Sequence, residues 1–132
     1  MSSRDHTKAL LAYLRGVPEL ASIVFDGRVP GAAPPEYVLV FAQSLEHDVD
    51  RFAGRQRGVT ARHTIHCIST LPAAAQHLAD RVSSRLVGAR IPVPGRSSSP
   101  VKHVGGDPMR LDSSVPPAVY FLADDYEWAT GP

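Results

Sequence analysis

Residues 36–43, EYVLVFAQ, constrain the fold of this chain more than any other segment. The run Tyr37-Val-Leu-Val-Phe41 is apolar at odd and even positions alike, so a strand there shows an apolar side chain to each face of a sheet. Such a strand is central and asks for cover on both sides. In a chain of 132 residues, one of those covers can come from another subunit. Pro30, Pro34 and Pro35 close the segment on its N-terminal side, because proline donates no amide hydrogen and stays out of sheet interiors.

The remaining segments supply partners for that strand. Leu10, Leu11, Leu14 and Val17 form a helical stripe that Asp5 or Ser3 can cap and that Gly16 and Pro18 end. At about twelve residues this helix is marginal alone and must pack on something. A second helix spans Pro72–Val87, with Ala75, Leu78, Ala79, Val82 and Leu86 on one side, Thr70 as cap and Gly88 as stop. Ser22–Phe25 reads as a short strand closed by the turn Asp26-Gly27-Arg28. Val59–Thr70 is a long strand with Val59, Ala61, His63, Ile65 and Cys67 on one face and Thr60, Arg62, Thr64, His66 and Ile68 on the other. Pro116 and Pro117 open a last strand, Ala118–Ala123, which the acidic stretch to Trp128 continues. Residues 44–58, SLEHDVDRFAGRQRG, read as a long loop or arm between two strands. Residues 91–115 read as irregular, with short extended pieces. The element order does not alternate as in a doubly wound fold. It predicts a single α+β domain over 1–132: a mostly antiparallel sheet of about four to five strands with two helices packed on it.

Composition limits function by exclusion. The chain is 43% hydrophobic with one cysteine, Cys67, so it can form a core and holds no internal disulfide. Residues 1–6, MSSRDH, place charges where a secretory leader needs an apolar run, and the longest unbroken apolar stretches have six residues. A membrane helix needs about 20, so the reading is a soluble protein with no membrane partner. The lysines follow Thr7 and Val101, no two glycines stand as G-x-G, and no serine is flanked as in a nucleophile elbow. His63 and His66 fall on opposite faces of a strand, and Cys67 beside His63 makes two ligands where a site needs three or four. No nucleophile, base and orienter come together. The expectation is therefore no enzyme, no cofactor and no metal.

The formal net charge is +1, but it is segregated: residues 1–50 carry 4 basic and 7 acidic side chains, residues 51–110 carry 10 and 2, and residues 111–132 carry 0 and 4. Arginine outnumbers lysine 12 to 2; its planar fork suits carboxylates and phosphates. The basic cluster Arg51, Arg55, Arg57 and Arg62 reads either as a solvated loop paired locally with Glu46, Asp48 and Asp50, or as an arm touching phosphate or a neighbour's carboxylates. With only Phe52 among these arginines, stacking on single-stranded nucleic acid has little support.

The sequence resembles the tail terminator (tail completion) proteins of long-tailed, non-contractile phages, in the form found in phages of actinobacteria. The matching stretches are DHTKALLAYLRGVP at 5–18, VFDGRVP at 24–30, PPEYVLVFA at 34–42, LADRVSSRLVGAR at 78–90 and PPAVYFLADDYEW at 116–128. They cover most of the chain in order; 44–57 and 91–115 match least. The resemblance implies a virion protein, assembled in the host cytoplasm, that forms a homo-oligomeric ring, usually of six copies. That ring sits on the tail tube, stops its polymerisation and docks the head connector, with transient contact to genomic DNA in the lumen. It implies no catalytic residues. A ring closes through two unlike patches on each subunit. The charge blocks suggest them: the arm at Arg51, Arg55, Arg57 and Arg62 against Asp124, Asp125 and Glu127 of a neighbour. The alternatives are another neck component, such as a head-closure or adaptor protein, and a small DNA-binding module.

Overall fold

The computed structural model describes residues 3–49 and 56–132, with side-chain detail outside residues 47–57. Two helices, α1 (Ser3–Arg15) and α2 (Pro72–Leu86), accompany eight strands: β1 (Val24–Asp26), β2 (Glu36–Ala42), β3 (Glu46–Val49), β4 (Gln56–Ser69), β5 (Ser97–Ser98), β6 (Lys102–Gly106), β7 (Arg110–Asp112) and β8 (Val119–Gly131).

The strands stand in five columns, ordered β1-β2-β4-β8-β5. β3 continues the β2 column along β4, while β6 and β7 continue the β5 column along β8. β1 runs parallel to β2, and every other strand pairing among the described residues is antiparallel. The spine is β4 against β8, in register from Val59 opposite Thr130 to Ser69 opposite Tyr120. The α+β reading with a mostly antiparallel sheet and two helices agrees with this architecture.

Both helices lie on one face. The stripe Leu10, Leu11 and Leu14 of α1 and the stripe Ala75, Leu78, Val82 and Leu86 of α2 bury together with Val38, Val40, Ala61, Ile65, Cys67, Tyr126 and Trp128. Each large apolar side chain taken fully from water contributes roughly 1.5–3 kcal/mol. The end of α1 is tied to β1 by Arg15, whose Nη2 and Nε donate to the Val24 carbonyl at 2.8 and 3.2 Å. The helices touch through Arg85, which lies 3.8 Å over the Tyr13 ring and donates from Nε to the Tyr13 carbonyl at 3.0 Å. Gly88, at φ 81°, turns the chain out of α2 in a conformation that favours glycine.

Three sequence expectations are corrected. β2 is covered on one side: Val38 and Val40 enter the core, while Tyr37 and Leu39 stay half-buried and Phe41 is 36% exposed on the face without helices. The physical reason is that α1 and α2 bury their stripes against each other as well as the sheet, which needs them on the same side. Residues 44–58 are not a loop throughout, since β3 pairs with the start of β4 as a hairpin. The N-cap of α2 is Leu71, with no side-chain cap, rather than Thr70.

Candidate functional site

Strict alternation in β4 sorts its side chains. Val59, Ala61, His63, Ile65 and Cys67 face the helices and are buried; Thr60, Arg62, Thr64 and His66 face the other way and are half-buried. Register carries this division across the sheet, because paired residues share a face. The face without helices therefore presents Tyr37, Leu39 and Phe41 from β2, Glu46 from β3, Phe121, Ala123, Asp125, Glu127 and Ala129 from β8, and Lys102, Gly105 and Arg110 from β6 and β7.

That face is banded. Across one end runs an alternating charge row: Lys102 is in register with Glu127, Glu127 with Arg62, and Glu46 lies one rung away opposite Thr60. Arg62 donates from Nη2 and Nε to Glu127 Oε2 at 2.7 and 3.2 Å. This contact raises the guanidinium above its ordinary pKa, first through the hydrogen bond and then through the charge of Glu127. The next band is a relay, in which Gln43 Nε2 donates to Thr64 Oγ1 at 3.2 Å and Thr64 donates to Asp125 Oδ1 at 2.6 Å. Beyond it the surface is aromatic: Phe41 and His66 have centroids 4.8 Å apart, and His66 and Phe121 stack at 5.6 Å. Burial holds His66 below the usual histidine range, against the opposing charges of Asp107 and Asp125, so the ring packs as a neutral aromatic.

The helix-covered face holds a polar layer of its own. His6 Nε2 bonds Thr130 Oγ1 at 2.8 Å, and Thr7 Oγ1 bonds His63 Nε2 at 2.9 Å, while Trp128 stacks on His63 at 5.2 Å. Burial, and secondarily His6, lowers His63 to about 4, with Asp26 opposing. Burial, and secondarily Asp124, pushes the Cys67 thiol up, which leaves it without the thiolate that nucleophilic or metal chemistry requires. Beside α2 an open cleft of about 620 Å³ is lined by Asp80, Ser83, His103, Asp124 and Tyr126 among others, with His103 Nε2 2.9 Å from Asp124 Oδ1. Among the described residues no three His, Cys, Asp or Glu side chains are placed to hold a metal ion. No helix among them is long and apolar enough to cross a membrane.

The sequence-derived interface residues separate as follows. Arg62 and Glu127 meet, but within one chain; Asp125 lies on the same face, bonded to Thr64. Asp124 points to the helix side, toward His103, as its odd offset from Asp125 requires. Arg62 belongs to the middle of β4 and not to an arm, and Arg57 sits near its start. Arg51 and Arg55 lie outside the described residues, as does the side chain of Arg57. Lys102 and the aromatic band were not singled out from sequence, and Glu46 was named only as a local partner of the arginines. For Phe121 the signal is period-two alternation on the odd positions of β8, whereas Glu46, Lys102 and Phe41 join the face only through their register with β4 and β8.

No family model and no curated protein matches the chain. Solved structures do. A chain from the virion of a native gene transfer agent particle superposes with TM-score 0.76 at 19% identity, covering 95% of this chain and 93% of that one. A second solved protein superposes with TM-score 0.61 at 13% identity over 100% of this chain and 97% of that one. At these identities the likeness is one of fold, and it extends over nearly the full length of both chains: this chain has the fold of a virion-particle component.

Proposed function

We propose that this chain is a non-enzymatic structural component of a virion and acts as a tail terminator. Six copies close into a ring on the end of the tail tube, stop its polymerisation and present the surface that the head connector meets. The observation that carries the reading is the near-full-length fold likeness to a chain of the gene transfer agent virion. It joins a sequence resemblance to tail terminators that spans the same elements. In the ring, the basic segment with Arg51, Arg55 and Arg57 contacts acids of the neighbouring subunit or tail-tube ring, Asp125 and Glu127 on their shared face among them, while Asp124 points to the other side with His103. Arg62 then buttresses Glu127 from within its own chain.

Particles assembled without this protein test the role directly. A terminator's loss gives overlong tubes by electron microscopy; tubes of normal length with heads that leak DNA assign the chain to head closure instead. Charge reversal at Arg55 and Arg57 to Glu abolishes ring assembly or tail joining on this reading, and normal rings with infectious particles would refute the contact. A DNA-binding role is less well supported, because the uncovered sheet face alternates cations with anions and offers no basic stripe; binding that collapses between low and moderate salt is its signature.

A further inference from the structure

Among the described residues no helix covers this face of the sheet, which is amphipathic and closed only at its Ile68 end, where that side chain is 5% exposed. Four columns about 4.8 Å apart, over Val59–Ser69 at about 3.3 Å per residue, give a footprint of roughly 700 Å². That is close to the roughly 800 Å² that each partner contributes to a stable protein interface. Lys102, Glu127, Arg62 and Glu46 alternate across it, Arg62 and Glu127 already as a salt bridge, and Asp125 accepts from Thr64, so Arg110 is the cation that a partner has to meet.

The pattern is also its own complement. Consider a two-fold axis parallel to the strands and midway between β4 and β8. It lays β4 of one copy over β8 of the other and the β2/β3 column over the β5–β7 column. Lys102 then meets Glu46 within one rung, and Arg62 meets Glu127. The exposed Phe41 ring lies over Gly105, whose missing side chain leaves room, since even a methyl group there would come no nearer than 3.9 Å to Asp125 Oδ2. His66 lies over Ala123, and Arg110 over the Tyr37 ring, a cation–π arrangement. We propose that this face is a self-association surface on which a second copy of the chain packs sheet against sheet about that axis, in the aligned manner of sheet sandwiches. The contact is isologous, whereas a ring closes through heterologous contacts. It therefore belongs to the free protein, where it covers the aromatic band, and it gives way where a neighbour's arm reaches Asp125 and Glu127 in the ring.

The test uses an exposed pair that cannot meet within one chain: Glu46 and Lys102 lie three strand spacings apart, about 14 Å. Sedimentation equilibrium of the wild type gives a concentration-dependent dimer. Lys102→Glu or Glu46→Lys alone, each acting twice by symmetry, weakens it at least tenfold. The double reversal, Lys102→Glu with Glu46→Lys, restores it to within about threefold, and circular dichroism confirms that all four proteins fold alike. A wild type that stays monomeric to about 1 mM, single reversals without effect, or no rescue overturns the proposal. So does a native hexamer indifferent to these changes, which leaves the terminator reading untouched.

Discussion

Acid should loosen this fold through one imidazole. His63 is 1% exposed, bonded to Thr7 of α1 and stacked on Trp128, and its pKa falls from 6.5 to about 4. A base whose folded pKa is depressed makes the unfolded chain the better proton acceptor at intermediate pH. Its effect on stability is therefore nil above pH 6.5 and unfavourable as pH drops toward 4, at about 1.4 kcal/mol per pH unit. Between pH 7.5 and 4.5 the loss from this group is about 2–3 kcal/mol, a large share of a small domain's stability. His63→Gln removes the titration while keeping an amide able to bond Thr7. The assay is urea denaturation of both proteins at pH 7.5 and 4.5. The variant is less stable at pH 7.5, by roughly 1–3 kcal/mol for the altered packing and hydrogen bonding. The gap between wild type and variant then shrinks by about 2–3 kcal/mol at pH 4.5, because carboxylate effects common to both cancel. Parallel losses in the two proteins refute the argument and show that His63 does not resist protonation in the folded state.

Other perturbations follow from particular contacts. Leu14→Ala opens a cavity where α1 meets the sheet, at a side chain with no exposed surface, and costs about 2–5 kcal/mol by the same denaturation assay. Cys67, buried with its thiol pKa raised, reacts with a chromogenic disulfide in native protein only as fast as the chain opens, and promptly in denaturant; equal rates contradict the burial. Gly88→Ala, at φ 81°, costs about 1–2 kcal/mol from backbone strain alone, since nothing lies within 4 Å of the added carbon.

Much of the secondary structure is legible because it rests on local periodicity. The stripes Leu10–Leu14 and Leu78–Leu86, the breakers Gly16 and Gly88, and the odd-even split of Val59–Cys67 need only side-chain geometry along one element. What escaped is what depends on distant partners. The hairpin strand Glu46–Val49 is polar and has no apolar alternation; it exists because β4 extends past the end of β2 and offers unpaired backbone groups there. Lys102 and Arg110 sit in short pieces that become strands only against the edge of β8. The arginine cluster read as one arm divides, since Arg62 is set into the sheet by its register with Glu127.

The sequence by itself determines that this chain folds as an α+β domain, because periodicity and breakers are properties of neighbouring positions. Only the tertiary structure decides which face of the sheet is left open. Tyr37-Val-Leu-Val-Phe41 asks for cover on both sides, and nothing local says which side the helices take. The choice is collective: α1 and α2 bury against each other and against Val38, Val40 and Trp128 at once. The other half of the apolar strand is thereby left beside an alternating row of charges from four distant segments.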